Sequence, residues 1–439
     1  MTALVSSLVG PVSPPLVDAS GALADSGQPG GGAAALLHRC RTLVAPALTE
    51  ALGTLHPWVE EMAGYALGRR EVGGAPAAHS SGKGVRQALA VLGAEAAGAS
   101  AATGVPAAVS VELVHTFSLL HDDIMDGDPV RRGRPAVWKA YGTGPAVLAG
   151  DALFALAVET LTGGSSAPGA ATSDIFGAAT PDTRGIATSD TRGPVTSDTR
   201  GPVTSDTRGP VTSDTRGIAT PDTRGPVTPD TRGPDSPHTP GAVRLLTTAL
   251  GDLVHGQADD LLFARRPWTG PGAVTVSAYE TMAERKTGAL LGCALALGAQ
   301  LAGAPAGTVA TLDRIGRHLG VTFQIVDDLL GIWGDPAVTG KPVHSDLRQA
   351  KKTLPVLAAL DTAEGAGLAE LLTSRPALDD AGVRRAATLV EQCGGRSAAL
   401  REARRHLARA HALLAAAPLD PGATADLRTL LAALTHRTV

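Results

Sequence analysis

The sequence has few aromatic residues and no strong net charge. Phe, Trp and Tyr make up 3% of the 439 residues, whereas proteins built on β-sheets are enriched in aromatic and β-branched residues. A formal charge of −4, from 38 basic and 42 acidic side chains, gives no basic field of the kind that attracts nucleic acid. The abundant Ala and Gly are typical instead of closely packed helices.

Cysteine is also scarce. Cys40, Cys293 and Cys393 are odd in number and widely spaced, so we predict reduced thiols in a cytosol and neither a disulfide framework nor a zinc site. The first residues, MTALVSSLVGPVSPP, lack a basic segment and contain proline, which argues against a signal peptide. The most apolar stretch, Leu290 to Ala306, is short for a bilayer and contains Pro305, so we predict a buried core helix and no membrane span.

Two segments have a composition that does not build a core. Residues 1–35 are rich in Ser, Pro and Gly and have no helical period. Residues 163–241 contain an octapeptide repeat, typified by GPVTSDTR, with an arginine at every eighth position from Arg184 to Arg232. Proline stops a helix, and one Val or Ile per repeat is too little for a β-solenoid. We therefore predict that both segments are disordered, the repeat being either a tolerated loop expansion or a multivalent docking segment.

Elsewhere the apolar residues follow a helical period nearly throughout. The clearest helical patterns cover residues 111–120, 145–161, 243–262, 278–302, 307–331, 352–373 and 382–416. No set of alternating strands is seen. The sequence therefore predicts one all-α domain, residues 36–162 and 242–439, interrupted by the repeat.

The densest group of charges is HDDIMDGDPVRRGRP, from His121 to Pro135. If the preceding run VELVHTFSLL is helical, Asp122 and Asp126 are i and i+4 neighbours on one face. Two stacked carboxylates favour a hard divalent cation, and the three arginines that follow favour phosphate groups. The pattern predicts a site for a magnesium-bound diphosphate.

A second acidic group lies in FQIVDDLLGIWGDPAVTGKPVHSDLRQAKKTLP, from Phe323 to Pro355. Asp327 and Asp328 end an apolar helical pattern, and basic residues follow. One such unit is also typical of a capped, solvated helix end. Two of them in one helical chain predict carboxylates that face each other across a bundle cavity.

Several motifs, in order along the chain, give it a resemblance to the trans-isoprenyl diphosphate synthases, the polyprenyl synthetase family, over residues 38–434 outside the repeat. The matching segments are SGKGVR at 81–86, DDIMD at 122–126, RRGRP at 131–135, GD at 150–151, GQADD at 256–260, KT at 286–287 and FQIVDD at 323–328. The resemblance implies an all-α fold around a deep central cavity and a cytoplasmic homodimer. It implies magnesium-dependent, head-to-tail condensation of isopentenyl diphosphate with an allylic diphosphate.

The resemblance also implies roles for individual side chains. Two or three magnesium ions would be bound by Asp122, Asp126 and Asp327, supported by Asp123, Asp260, Asp328 and Asp346. The allylic diphosphate would contact Arg131, Lys286, Thr287, Gln324, Lys341 and Lys351. Isopentenyl diphosphate would contact Lys83, Arg86, His115 and Arg132, with Gln257 nearby. The catalytic set would be Asp122, Asp123, Asp126, Arg131, Lys286, Asp327 and Asp328, which neutralises charge on the departing diphosphate.

The chain departs from the family pattern in two places. Gly331 stands where the second cluster of the family has a third aspartate. Ser81 and Gln87 replace the first glycine and the proline of the lysine–arginine segment. The first change bears on the metal ions and the second on the rigidity of a loop.

Product length depends on what closes the cavity below the first cluster. Phe117 and Ser118 lie five and four residues before Asp122, about one helical turn deeper. A phenylalanine there is expected to block chain growth. Together with a first cluster that has no insertion, it suggests by resemblance geranylgeranyl diphosphate as the product, with farnesyl diphosphate as the alternative.

Two other functions stay open. A class I terpene cyclase shares helices and one aspartate cluster, but is not expected to carry the lysine–arginine segment or the paired second cluster. A non-catalytic scaffold subunit is favoured only by Gly331 and the repeat. Some relatives with disordered N-terminal extensions are cargo of encapsulin-type shells, so residues 1–35 make such a shell a candidate partner and a protein nanocompartment a candidate location.

Overall fold

The computed structural model describes residues 29–77, 84–163, 238–336, 342–374 and 378–436. Most of these residues are helical, which confirms the predicted all-α class. The described residues on both sides of the repeat belong to one compact unit. The repeat itself, with the prediction that it is disordered, lies outside the described residues, as do residues 1–28.

The described helices fall into an N-terminal and a C-terminal group. The first contains α1 (Pro29–Leu52), α2 (Pro57–Ala66), α3 (Val85–Ala96), α4 (Val105–Asp126), α5 (Val137–Tyr141) and α6 (Thr143–Thr162). The second contains α7 (Thr239–Arg265), α8 (Val276–Ala283), α9 (Ala289–Leu301), α10 (Ala306–Trp333), α11 (Ser345–Arg348), α12 (Leu354–Leu360), α13 (Ala366–Ser374), α14 (Asp380–Gln392), α15 (Gly395–Ala416) and α16 (Pro421–His436). A π-helical segment, Glu284–Gly288, joins α8 to α9, and 3₁₀ turns cover Ala101–Gly104 and Ala363–Gly365.

Helix α9 lies at the centre of the core. Every residue from Ala289 to Ala299 is buried, as predicted for the most apolar stretch of the chain. Helix α3 crosses it in backbone contact: a Cβ on Gly298 would lie 2.0 Å from the carbonyl oxygen of Ala90, and one on Gly93 would lie 2.2 Å from that of Leu295. The glycines therefore set how closely the two central helices approach.

Some boundaries differ from the sequence prediction. Residues 29–35, predicted to be disordered, belong to α1, because Ala33, Leu36 and Leu37 are buried in the core. Likewise, α7 begins at Thr239 and already buries Ala242. These small apolar residues stand next to Gly- and Pro-rich sequence, which masks the helical period.

Three helices predicted to be continuous are interrupted. The helix predicted over 352–373 stops at Leu360, where Thr362 becomes extended and the chain folds back so that Gly365 meets the carbonyl of Ala359. The helix predicted over 382–416 divides at Gly394, whose φ of 76° ends α14 and starts α15. The helix predicted over 278–302 is interrupted by the π-helical segment, which carries two predicted site residues.

A small hairpin was not predicted. Strands β1 (Val130–Arg131) and β2 (Arg134–Pro135) pair antiparallel around Arg132 and Gly133, whose φ values of 52° and 76° are those of a type I′ turn. Strands of two residues leave no alternation to detect in the sequence. A non-glycine residue with positive φ is costly, and such strain concentrates at functional sites.

Two helical stretches, Ala101–Asp126 and Thr143–Thr162, are long and apolar enough to cross a membrane by length and composition. Both contribute to the core, where Leu113 and Leu153 are fully buried. Packing within the helical bundle is a sufficient reason for their apolar composition.

Candidate active site

The first aspartate cluster ends helix α4. Gly127 closes the helix in the left-handed conformation, with a φ of 67°. Asp123 is 3% exposed, and its two carboxylate oxygens accept hydrogen bonds from Arg131 Nε at 2.7 and 2.8 Å. The hairpin therefore returns Arg131 to the end of the helix, where Asp123 orients its guanidinium group.

Asp122 is buried among carboxylates and cationic side chains. Its pKa is raised to about 6, chiefly by burial and further by the charges of Asp126 and Asp260, while Lys286 and Arg131 oppose the shift. Crowded carboxylate oxygens are the donors that Mg²⁺ prefers, and a bound divalent cation favours their ionised form. The donor set at this end of α4 therefore fits magnesium.

Lys286 and Thr287 lie on the π-helical segment. Lys286 Nζ donates to Asp260 Oδ2 at 2.5 Å, and Thr287 Oγ1 donates to Gln324 Oε1 at 2.7 Å. Helix α7 passes so close that a Cβ on Gly256 would lie 2.3 Å from the backbone nitrogen of Lys286. The glycine of the GQADD motif thus lets α7 present Asp260 to Lys286.

The second cluster divides its two aspartates by burial. Asp327 is exposed, whereas Asp328 is 3% exposed and accepts hydrogen bonds from Tyr279 Oη (2.5 Å), Leu354 N (3.0 Å) and Gln324 Nε2 (3.1 Å). Burial is the main cause that raises the pKa of Asp328 to about 8, and its hydrogen bonds oppose the shift. Asp328 therefore stabilises the end of α10 through its hydrogen bonds, and Asp327 is the aspartate of this cluster that is available to a ligand.

Tyr279 and Asp260 connect the two clusters. The pKa of Tyr279 is raised, first by burial and then by Asp328, Asp260 and Asp327. Asp260 also raises the pKa of Asp122. The charges of both clusters therefore act within one site, although the clusters are far apart in the sequence. Tyr279 was missed because no sequence signal links it to Asp328.

A separate cavity of about 110 Å³ lies beside this site. It is lined by Arg132 from the hairpin, by Arg41 and Arg69, and by His115. Three arginines around one cavity suit a phosphate-bearing ligand. Arg41 and Arg69 were not predicted, because they belong to no motif and meet only where the segment after α2 packs on α1.

Arg86 lies behind this cavity and contacts His115 in its wall. Arg86 Nη1 donates to His115 Nε2 at 3.1 Å, and burial, followed by the charge of Arg86, lowers the pKa of His115 well below its usual value. Burial also lowers the pKa of Arg86 to about 10, against the opposing charge of Glu112. Arg86 Nε is buried and has no hydrogen-bond partner among the described residues, and the same is true of Gln257 Nε2. Buried donors of this kind normally have a partner.

Phe117 lies on α4, five residues before Asp122. Its ring centroid is 4.7 Å from that of His121 and 5.9 Å from that of Phe154 on α6. His121 fits beside Phe117 because residue 150 is a glycine. A Cβ on Gly150 would lie only 2.4 Å from His121 Nε2. Ser118 Oγ, by contrast, donates to the carbonyl of His115 at 2.8 Å. Phe154 was missed, since only tertiary packing brings it to Phe117.

Three predicted contacts are not part of the described site geometry. Lys83 and Lys341 lie outside the described residues. Lys351 is half-buried just after α11, and its predicted role stays a prediction. The next residue, Lys352, points elsewhere: its Nζ lies 4.0 Å above the ring of Trp268.

Comparisons with known proteins identify the family of the chain. The polyprenyl synthetase family model matches residues 75–182 and 234–390. Geranylgeranyl diphosphate synthase of Mycobacterium tuberculosis is 38% identical over 389 residues, covering 88% of this chain and 90% of that protein. (2E,6E)-Farnesyl diphosphate synthase of the same organism is 35% identical over 394 residues, covering 88% and 89%.

A crystal structure of polyprenyl synthetase from Streptomyces coelicolor A3(2) superposes with a TM-score of 0.69 at 37% identity, covering 92% of this chain and 99% of that one. The sequence and fold comparisons therefore agree with each other. The chain belongs to the polyprenyl synthetase family, the trans-isoprenyl diphosphate synthases, and is a prenyltransferase.

Proposed function

We propose that the protein condenses isopentenyl diphosphate head to tail with an allylic diphosphate and releases geranylgeranyl diphosphate. The observation that carries this proposal is the meeting of both aspartate clusters around Lys286 and Asp260, next to an arginine-lined cavity. One site suits a metal-bound diphosphate and the other a second diphosphate. A class I terpene cyclase uses a single diphosphate substrate and has no need of the second site.

The allylic diphosphate belongs at the aspartate clusters. Asp122, Asp126 and Asp327 would hold magnesium, with Asp123, Asp260, Asp328 and Asp346 in support. Bound magnesium stabilises negative charge on the departing diphosphate. Lys286 and Arg131 add positive charge at the same place, and their partners Asp260 and Asp123 keep them oriented before the bond breaks.

Isopentenyl diphosphate belongs in the arginine-lined cavity, held by Arg86 and Arg132, with His115 and Lys83 as further contacts. The allylic carbon–oxygen bond breaks, and its electron pair leaves with the diphosphate. The alkene of isopentenyl diphosphate then attacks the allylic carbon and forms the new carbon–carbon bond. Loss of a proton restores an alkene, and the released diphosphate is a suitable acceptor. Holding both substrates in line supplies much of the rate.

Product length would be set by Phe117 together with Phe154, whose rings meet below the first cluster. Each added isoprene unit would extend the apolar tail towards these two rings, which form the proposed floor of the cavity. Farnesyl diphosphate stays the alternative product, because the depth of the floor decides between the two lengths.

The decisive experiment uses the purified protein with magnesium, isopentenyl diphosphate and each allylic primer, and sizes the products by chromatography. We expect geranylgeranyl diphosphate as the longest main product. A main product that stops at farnesyl diphosphate would support the alternative. Hydrocarbon formed from allylic diphosphate alone would indicate a cyclase. Turnover that is unchanged in both Asp122→Ala and Asp327→Ala would refute the mechanism.

We also propose a cytoplasmic homodimer. Exposed apolar side chains on neighbouring α4 and α6, namely Met125 (45%), Val147 (38%) and Leu148 (50%), support a subunit interface there. The three cysteines are buried and unpaired, as expected in a reducing compartment. Light scattering of the wild type and of Leu148→Glu tests the dimer, which the substitution should weaken.

The encapsulin-type shell stays a prediction for residues 1–35, of which the structure describes only residues 29–35. Co-purification with a shell protein by the full-length chain, and loss of it in a chain without the first residues up to 28, would support that partner. Binding by both chains would exclude the tail as the determinant.

A further inference from the structure

The second aspartate cluster is one carboxylate short in its own helix. In α4, Asp122 and Asp126 stand one turn apart on the same face. In α10, Asp327 is followed one turn later by Gly331, which has no side chain. The sequence alone therefore indicates a weaker second metal site.

Another carboxylate fills the gap that Gly331 leaves. A Cβ on Gly331 would lie 2.0 Å from Oδ2 of Asp346, 2.4 Å from its Cγ and 2.8 Å from its Oδ1. The space that the first atom of a residue-331 side chain requires is thus occupied by the carboxylate of Asp346. A side chain at 331 and the observed position of Asp346 exclude each other.

The chain before Asp346 is fastened to the same end of α10. His344 Nδ1 donates to the carbonyl of Ile332 at 2.5 Å, and Ser345 Oγ donates to the carbonyl of Gly331 at 3.3 Å. These carbonyls belong to the last turn of a helix, which lacks intrahelical donors. His344 reaches its position with a positive φ of 63°, a strained conformation that these contacts hold.

The charge of Asp346 acts on the cluster. Asp346 is 8% exposed, and its carboxylate is among the causes that raise the pKa of its neighbour Asp328. Its oxygens therefore lie next to the acidic end of α10 and not in a remote structural contact. The short helix α11 delivers the group that α10 lacks.

We infer that Asp346 supplies the third carboxylate of the second metal-binding cluster and that Gly331 is the vacancy which admits it. This inference rests on the magnesium site proposed above. Gly331 is then a requirement of the site and not a loss, so restoring the aspartate of the family pattern should harm the enzyme.

The test measures how tightly inorganic diphosphate binds as magnesium is titrated, by calorimetry, alongside turnover. We expect Asp346→Ala to lower the apparent affinity for magnesium in this titration about 10- to 100-fold. This is the usual effect of removing a carboxylate that supports a metal site. Gly331→Ala should have a similar effect, because its Cβ displaces only the mobile end of Asp346. Gly307→Ala is the matched control on the same helix, since a Cβ there meets nothing within 4 Å.

The reciprocal exchange makes the test specific. Gly331→Asp alone should weaken magnesium-dependent binding, whereas Gly331→Asp combined with Asp346→Ala should recover most of the loss. Circular dichroism and melting temperature show whether each variant is folded, and Asp346→Asn, which keeps the shape, stands in for any variant that is not.

Two outcomes would overturn the inference: tighter binding in Gly331→Asp than in the wild type, or a Gly331→Ala variant that behaves like Gly307→Ala. Asp327→Ala separates this failure from failure of the metal assignment. If Asp327→Ala leaves the magnesium dependence unchanged, the proposed metal site itself is wrong. If it weakens binding while the exchange at 331 and 346 has no effect, only the inference fails.

Discussion

Gly256→Ala should disable the enzyme although Gly256 contacts no substrate in the proposed mechanism. Its Cβ would lie 2.3 Å from the backbone nitrogen and 2.7 Å from the Cα of Lys286, whereas ordinary contacts begin at 3.4 Å. Backbone atoms cannot rotate away, so α7 and the π-helical segment must separate by about 1 Å in a close-packed interior. Lys286 and Thr287 move with that segment.

The expected losses of rate and of stability follow from the separation of α7 and the π-helical segment. A shift of this size in a positioning group costs about 10²-fold in rate. Overpacking costs about 1–3 kcal/mol, and the better helix propensity of Ala returns about 1 kcal/mol, so the free energy of unfolding should fall by up to about 2 kcal/mol.

The control for this prediction lies on the same helix. A Cβ on Gly251 meets nothing within 4 Å, so Gly251→Ala should gain helix propensity and keep the wild-type rate. Steady-state kinetics with both substrates, together with urea denaturation, compares the two variants. A Gly256→Ala enzyme with the kcat of the wild type would show that Lys286 does not depend on this contact.

Three further predictions concern single side chains. Phe117→Ala and Phe154→Ala should each lengthen the product on chromatography, and an unchanged product in both would refute the proposed floor. Tyr279→Phe removes a hydrogen bond to buried Asp328 and should lower the free energy of unfolding by about 1–3 kcal/mol in urea, whereas wild-type stability would contradict that role. In magnesium-free buffer, folded Asp122, with its pKa raised to about 6, holds its proton more tightly than in the unfolded chain. The free energy of unfolding, measured by calorimetry, should therefore fall as the pH rises through about 6. The fall should be smaller in the Asp122→Asn variant.

Local patterns in the sequence predicted the helices and the residues of the acidic clusters. The spacing of Asp122 and Asp126 is a property of one helix, so it could be predicted without knowing the fold. The contact of Tyr279 with Asp328 spans 49 residues and depends on how α8 packs on α10. The hairpin around Arg132 depends on two positive φ values, which an arginine gives no reason to expect.

The glycines of the motifs are where sequence and tertiary structure meet. Gly256 makes room for the segment of Lys286, Gly150 for His121 and Gly331 for Asp346, each at less than the distance that a Cβ tolerates. In all three cases the glycine lies on one helix, and the absence of its side chain leaves room for a polar group from another part of the chain.

This arrangement explains why a motif glycine cannot be interpreted from its own helix alone. At Gly331 the sequence pattern indicated a lost ligand, because an i, i+4 comparison looks only along α10. The structure shows that the same volume holds a carboxylate from α11. At this position, therefore, the carboxylate beside the end of α10 comes from α11 and not from α10 itself.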